Sequence, residues 1–80
     1  METKILRLPQ VLDLRGTSRS KHYDDVKQGT FTKPVKISAR SCGWPANEVQ
    51  ALNAARIAGK TDDEIRTLVA KLEAARKLAA

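Results

Sequence analysis

Cysteine is all but absent from this 80-residue chain, where Cys42 stands alone. A single thiol excludes an internal disulfide and a multi-cysteine zinc centre, and it fits a reducing compartment. Histidine is as scarce: His22 together with Cys42 cannot supply the roughly four ligands that zinc takes. A nucleophilic Cys42 would need a base beside it, and the neighbouring residues offer none. The aromatic residues are Tyr23, Phe31 and Trp44 only. Three rings do not make the stacking platform of single-strand and RNA binders, and the core has first claim on them. No apolar run nears the roughly 20 residues that cross a bilayer, and residues 1–8 lack the apolar stretch of a secretory leader. At 8.8 kDa there is no room for a nucleotide-binding sheet, a barrel or a cleft between domains. The expectation is one cytoplasmic domain, without cofactor, metal or catalysis.

What the chain has is positive charge, 15 Lys and Arg against 9 Asp and Glu, a net +6. Such an excess on a small body points to a polyanion, nucleic acid ahead of a membrane surface. The charge is uneven. Residues 1–43 carry Lys4, Arg7, Arg15, Arg19, Lys21, Lys27, Lys33, Lys36 and Arg40 against Glu2, Asp13, Asp24 and Asp25, a net +5, and residues 44–80 net only +1. The anion-binding surface therefore belongs to the first half, with the second half as support.

Local patterns predict the elements. Pro9 suits the first turn of a helix whose apolar side is Leu8, Val11, Leu12 and Leu14, and Gly16 ends it. Thr17 and Ser18 offer a cap for a second helix from Arg19 to Gln28, stopped by Gly29. Two helices joined by a glycine-containing turn this short form a helix-turn-helix. Val35 and Ile37 alternate with Lys36, Ser38 to Ser41 is a polar tip, and Cys42 to Trp44 returns: a short β-hairpin. Pro45 opens a third helix over residues 46–58, with Val49, Leu52, Arg56 and Ile57 expected on one side and Gly59 closing it. Thr61 and Glu64 form a capping box for a last helix bearing Ile65, Leu68, Val69 and Leu72 at helical spacing. Arg76 and Lys77 fall at its favourable C-terminal end. The fold class is mainly α with a small β-hairpin, a winged helix-turn-helix with an additional C-terminal helix. Residues 1–59 are the expected DNA-binding part; residues 60–80 either dock on it or join two copies through a short coiled-coil seam.

The runs Ile5 to Leu12 (ILRLPQVL), Gly16 to Ser20 (GTSRS), Lys33 to Lys36 (KPVK) and Trp44 to Val49 (WPANEV), with Tyr23, Gly29 and Phe31 between them, resemble the AlpA family of small prophage-encoded DNA-binding proteins. That family is related in fold to MerR-type winged helices and to phage excisionases. The resemblance covers residues 5–57 and leaves the final helix outside. It implies that the helix after Ser18 is the recognition helix and the hairpin the wing. It also implies a transcriptional regulator or, alternatively, an excisionase-type directionality factor whose partner is a phage integrase. His22 and Asp25 stand where the family is usually apolar, and Thr32 and Leu52 replace an expected proline and tryptophan. His22 and Asp25 lie three apart on one helix and are close enough to pair.

The candidate interface is then the start of the second helix, Ser18, Arg19, Ser20, Lys21 and His22, with the wing residues Lys33, Lys36, Ser38 and Arg40. Helix-turn-helix docking sends the first residues of the recognition helix into the major groove, where arginine forks onto guanine. Ser18 is the better cap than base reader. Wing cations suit phosphates, and a tip arginine suits a narrow minor groove. The competing readings are a solvated helix end, and edge-strand lysines that block aggregation. The expected partner is double-stranded DNA, bound by a monomer, a homodimer or cooperative side-by-side copies. A protein-interaction module working through the last helices is the rival of another class.

Overall fold

A computed structural model describes residues 4–78. They form four helices and a small three-stranded antiparallel sheet: β1 (Ile5–Leu6), α1 (Leu8–Arg15), α2 (Arg19–Gln28), β2 (Val35–Ser38), β3 (Ser41–Pro45), α3 (Ala46–Ile57) and α4 (Asp62–Leu78). This mostly helical architecture is compatible with a winged-helix arrangement. Helix boundaries follow their chemical punctuation. Gly16 (φ 65°) and Gly29 (φ 82°) take the left-handed conformation after α1 and α2, where only glycine is at ease. The Ser18 hydroxyl accepts from the Lys21 amide at the start of α2. At α4 the capping box is complete, with the Thr61 N–H donating to Glu64 and the Glu64 N–H donating to the Thr61 hydroxyl. The Thr61 N–H first, and then the Thr61 side chain, hold the Glu64 carboxyl below its ordinary pKa.

The sheet has one more strand than the expected hairpin. β3 lies in the middle, paired with β2 on one side and with β1 on the other through Ile5↔Pro45 and Leu6↔Trp44. β1 is a two-residue strand, too short for any periodicity to announce it. It approaches so closely that a Cβ on Gly43 would sit 2.6 Å from the Leu6 carbonyl oxygen. On the other side the register shifts between Lys36 and Ser38, and Ile37 stays 45% exposed. The apolar alternation expected of β2 thus buries little; β2 and the hairpin turn stand out from the body while the end of β3 is buried.

The core runs through every helix but α2: Leu6, Val11, Phe31, Trp44, Val49, Leu52, Ala55, Ile65 and Val69. Trp44 is fully buried and donates its indole N–H to the Thr32 carbonyl at 2.8 Å. Tyr23 is 38% exposed, so two of the three rings serve the core and the third lines its edge. The buried face of α3 is Glu48, Val49, Leu52 and Ala55, not the stripe ending at Arg56 and Ile57. Ile57 is nine residues, about two and a half turns, past Glu48 and points to solvent at 87% exposure. α4 lays Ile65 and Val69 into the core, flanked by Leu68 and Leu72. Its Arg76 forks onto Glu48 at 2.8 and 2.6 Å. Glu48 is 2% exposed, and this bond holds the Arg76 pKa above its usual value.

Candidate nucleic-acid interface

The first turn of α2 leaves its cap with Arg19, Ser20 and Lys21 all exposed. Unpaired amides and the positive end of the helix dipole lie at the same place, which suits a phosphate or a base-edge acceptor. Arg19 and Ser20 make no hydrogen bond through their side chains among the described residues. One helical turn further, the exposed side of α2 continues with Tyr23, Asp24 and Lys27.

The inner side of α2 is polar where apolar residues are usual, and Arg15 of α1 explains how. Its guanidinium donates to His22 Nδ1 at 2.7 Å and to Asp25 Oδ2 at 2.6 Å, and lies 4.2 Å over the Phe31 ring. Lys21 donates to the other Asp25 oxygen at 2.7 Å. One arginine therefore staples the two helices of the turn, bonding one oxygen of a buried carboxylate and one nitrogen of a buried imidazole together. Burial alone would raise the Asp25 pKa, but the hydrogen bonds from Lys21 and Arg15 outweigh it and hold the carboxyl below its ordinary value. His22 is pushed the other way from protonation, to about 4, first by burial and then by the Arg15 charge, with Asp25 opposing. The ring is neutral at physiological pH. Because Nδ1 accepts from Arg15, the proton sits on Nε2, which has no partner among the described residues. That ring lies edge-on to Phe31 at 4.9 Å and to Trp44 at 4.6 Å.

His22 is thereby withdrawn from the expected contact set. Its side chain is fully buried and cannot reach a ligand. Ser18 spends its hydroxyl on the helix cap. Lys21 is exposed but tied to Asp25. On the hairpin, Lys36 and Arg40 are exposed, Arg40 in the turn between β2 and β3, and the Ser38 hydroxyl is bonded to that of Ser41 at 2.6 Å. Lys33 is exposed on the connector before the hairpin rather than on a strand. The hairpin is not independent of α2, since Trp44 of β3 packs on His22 and, at 6.4 Å between ring centroids, on Tyr23.

An open cleft of about 890 Å³ runs between the α1–α2 turn and the α3–α4 turn. Its cations are already matched: Arg15 and Lys21 with Asp25, Arg56 with Asp62, and Arg66 with Asp63. Among the described residues, the first-half cations that pair with no carboxylate are Lys4, Arg7, Arg19, Lys27, Lys33, Lys36 and Arg40. Sequence reasoning missed the outward placement of Lys27 and Tyr23, although helical spacing from Arg19 carried that signal. It also missed the role of Arg15, whose partners lie seven and ten residues away and leave no local trace.

The family described as Prophage CP4-57 regulatory protein (AlpA) matches residues 4–57. An uncharacterized protein, ORF88, of Enterobacteria phage P4 is 37% identical over 59 residues, spanning 74% of this chain and 67% of that protein. No solved structure matches. Among the described residues, no helix is long and apolar enough to cross a membrane.

Proposed function

The chain belongs to the AlpA family of prophage regulatory proteins, and on that premise we propose that it is a winged helix-turn-helix regulator of transcription that binds double-stranded DNA in the cytoplasm. α2 enters the major groove with Arg19 forking onto a guanine and Ser20 on a phosphate beside it, while Ser18 caps the helix and Lys21 stays on Asp25. The hairpin is the wing, with Lys36 and Arg40 on the backbone or in the minor groove, Ser38 at its tip, and Lys33 on the connector that leads into it. The observation that carries this reading is the division of α2 itself. One side is locked into the body by Arg15, and the opposite side presents an unpaired Arg19 at the positive end of the helix. The function is one of binding, without catalysis.

The experiment is selection of bound sequences from random duplex DNA, followed by footprinting on the best site. The proposal expects a defined motif read over a few base pairs, with protection of the flanking backbone. Recovery of no motif, with affinity equal on all duplexes, would contradict sequence-specific regulation. An array of adjacent protected repeats would favour the excisionase role over transcriptional control.

A further inference from the structure

The connector between α2 and β2 is held at both ends by α4. The Gln28 carbonyl accepts from Arg66 Nε at 3.0 Å. Five residues on, both backbone groups of Lys33 are engaged: its N–H donates to Glu73 Oε2 at 2.9 Å, and its carbonyl accepts from Arg76 Nη2 at 2.7 Å. Arg76 reaches Lys33 while forked onto the buried Glu48, so its position is set by α3 and is not free to drift. Between these grips the connector is pinned from within. The Thr30 N–H donates to the Asp25 carbonyl, Phe31 is buried, and the Thr32 carbonyl accepts from Trp44.

The arrangement is more specific than helix docking requires. Burying Ile65 and Val69 against α3 would dock α4 with no contact to Lys33. Instead, two side chains one helical turn apart on α4 reach across to the residue where the chain leaves the body for the hairpin. α4 also lies beyond the residues matched by the family, so its contribution is additional to the common unit.

We infer that α4 is a strap that sets the hairpin's position relative to α2, with Glu73 and Arg76 as positioning residues for the wing cations Lys36 and Arg40. The inference rests on the proposed DNA-binding reading for its effect on affinity, though not for its effect on the hairpin itself. One hydrogen bond on each of the two peptide units that flank Lys33 restrains both position and rotation there, and β2 begins two residues later. Without the strap, Lys36 and Arg40 still attract phosphates but are no longer held where phosphates lie.

The test combines Glu73→Ala with Arg76→Lys in the full chain. Lysine keeps a charge beside Glu48, so the buried carboxylate stays neutralised, but a single ammonium cannot fork onto Glu48 and the Lys33 carbonyl together. Circular dichroism checks that the variant remains folded. Amide hydrogen exchange should then quicken at Lys33 and along the β2–β3 ladder, with α1 and α2 unchanged. On duplex DNA the variant should lose about two from the salt slope, as Lys36→Ala/Arg40→Ala does, and combining all four changes should lose no more than either pair alone. Unchanged exchange at Lys33 and in the ladder overturns the strap whatever happens on DNA. Additive losses in the combined variant overturn it too, because they make the two pairs independent. Quickened exchange in a protein whose wild type binds no duplex would uphold the strap and overturn the DNA-binding reading instead.

Discussion

The chain uses the same residue types in two opposite ways. Arg15 and Arg76 are folded against carboxylates that are 4% and 2% exposed, and each joins two separate helices. Arg19, Lys36 and Arg40 point to solvent with no carboxylate within reach among the described residues. Net charge does not distinguish the two groups, and neither does position, since Arg15 and Arg19 are separated by a single turn. The partner decides. A cation whose charge is used inside the protein is a structural element. One left at a helix N-terminus or a hairpin turn is available to a polyanion. The first kind predicts loss of stability on removal with little change in electrostatic attraction, and the second predicts the reverse.

The largest expected effect breaks the first group. Arg76→Ala leaves Glu48 buried without a counter-charge, which costs about 3–5 kcal/mol, a major part of the stability of a domain this small. Urea unfolding measures it; a loss under about 1 kcal/mol would mean that Glu48 rehydrates without cost. The second effect is on acid stability. The unfolded chain protonates His22 near 6.5 and the folded protein only near 4. Between those values the unfolded state holds more protons, so stability rises with pH and is lost on acidification through that window, by on the order of 3 kcal/mol. Asp25, held below its ordinary pKa, adds a loss at still lower pH. His22→Leu should flatten the upper window and leave the lower one. An unchanged profile would place the titrating group elsewhere.

How much of this was legible in the sequence depended on range. Gly16, Ser18 and Gly29 bound α1 and α2 because caps act over three or four residues, and the Thr61–Glu64 box marks α4 for the same reason. β1 was invisible, as two residues carry no period, and Gly43 signals its approach only once the sheet is built. Spacing puts Ile57 on one side with Val49, Leu52 and Arg56; the helix phase set by Glu48, Leu52 and Ala55 turns it out. The polar inner face of α2 shows in His22 and Asp25, whose spacing alone points to a pair with each other. The missing member was Arg15, on another helix. Glu48 with Arg76, 28 residues apart, left no sequence trace at all.

Smaller effects sharpen the second group. Arg19→Ala should cost about 1–3 kcal/mol on the preferred duplex, far less on random DNA, and leave unfolding within about 0.5 kcal/mol. Equal losses on both duplexes would make Arg19 a phosphate contact and remove it from sequence reading. Lys36→Ala should weaken specific and random binding alike and lower the salt slope by about one, again at unchanged stability. A slope that does not move would take the hairpin off the DNA backbone.

The central claim is that the unpaired cations of residues 4–40 form a surface for duplex DNA. Its most direct test is the salt dependence of duplex binding by the intact protein, measured by fluorescence anisotropy from low to physiological salt. Six or so phosphate contacts predict that log affinity falls linearly against log salt with a slope of about −5. A slope near zero, or no binding to duplex at low salt, would contradict the claim and leave the exposed cations as a solvated surface.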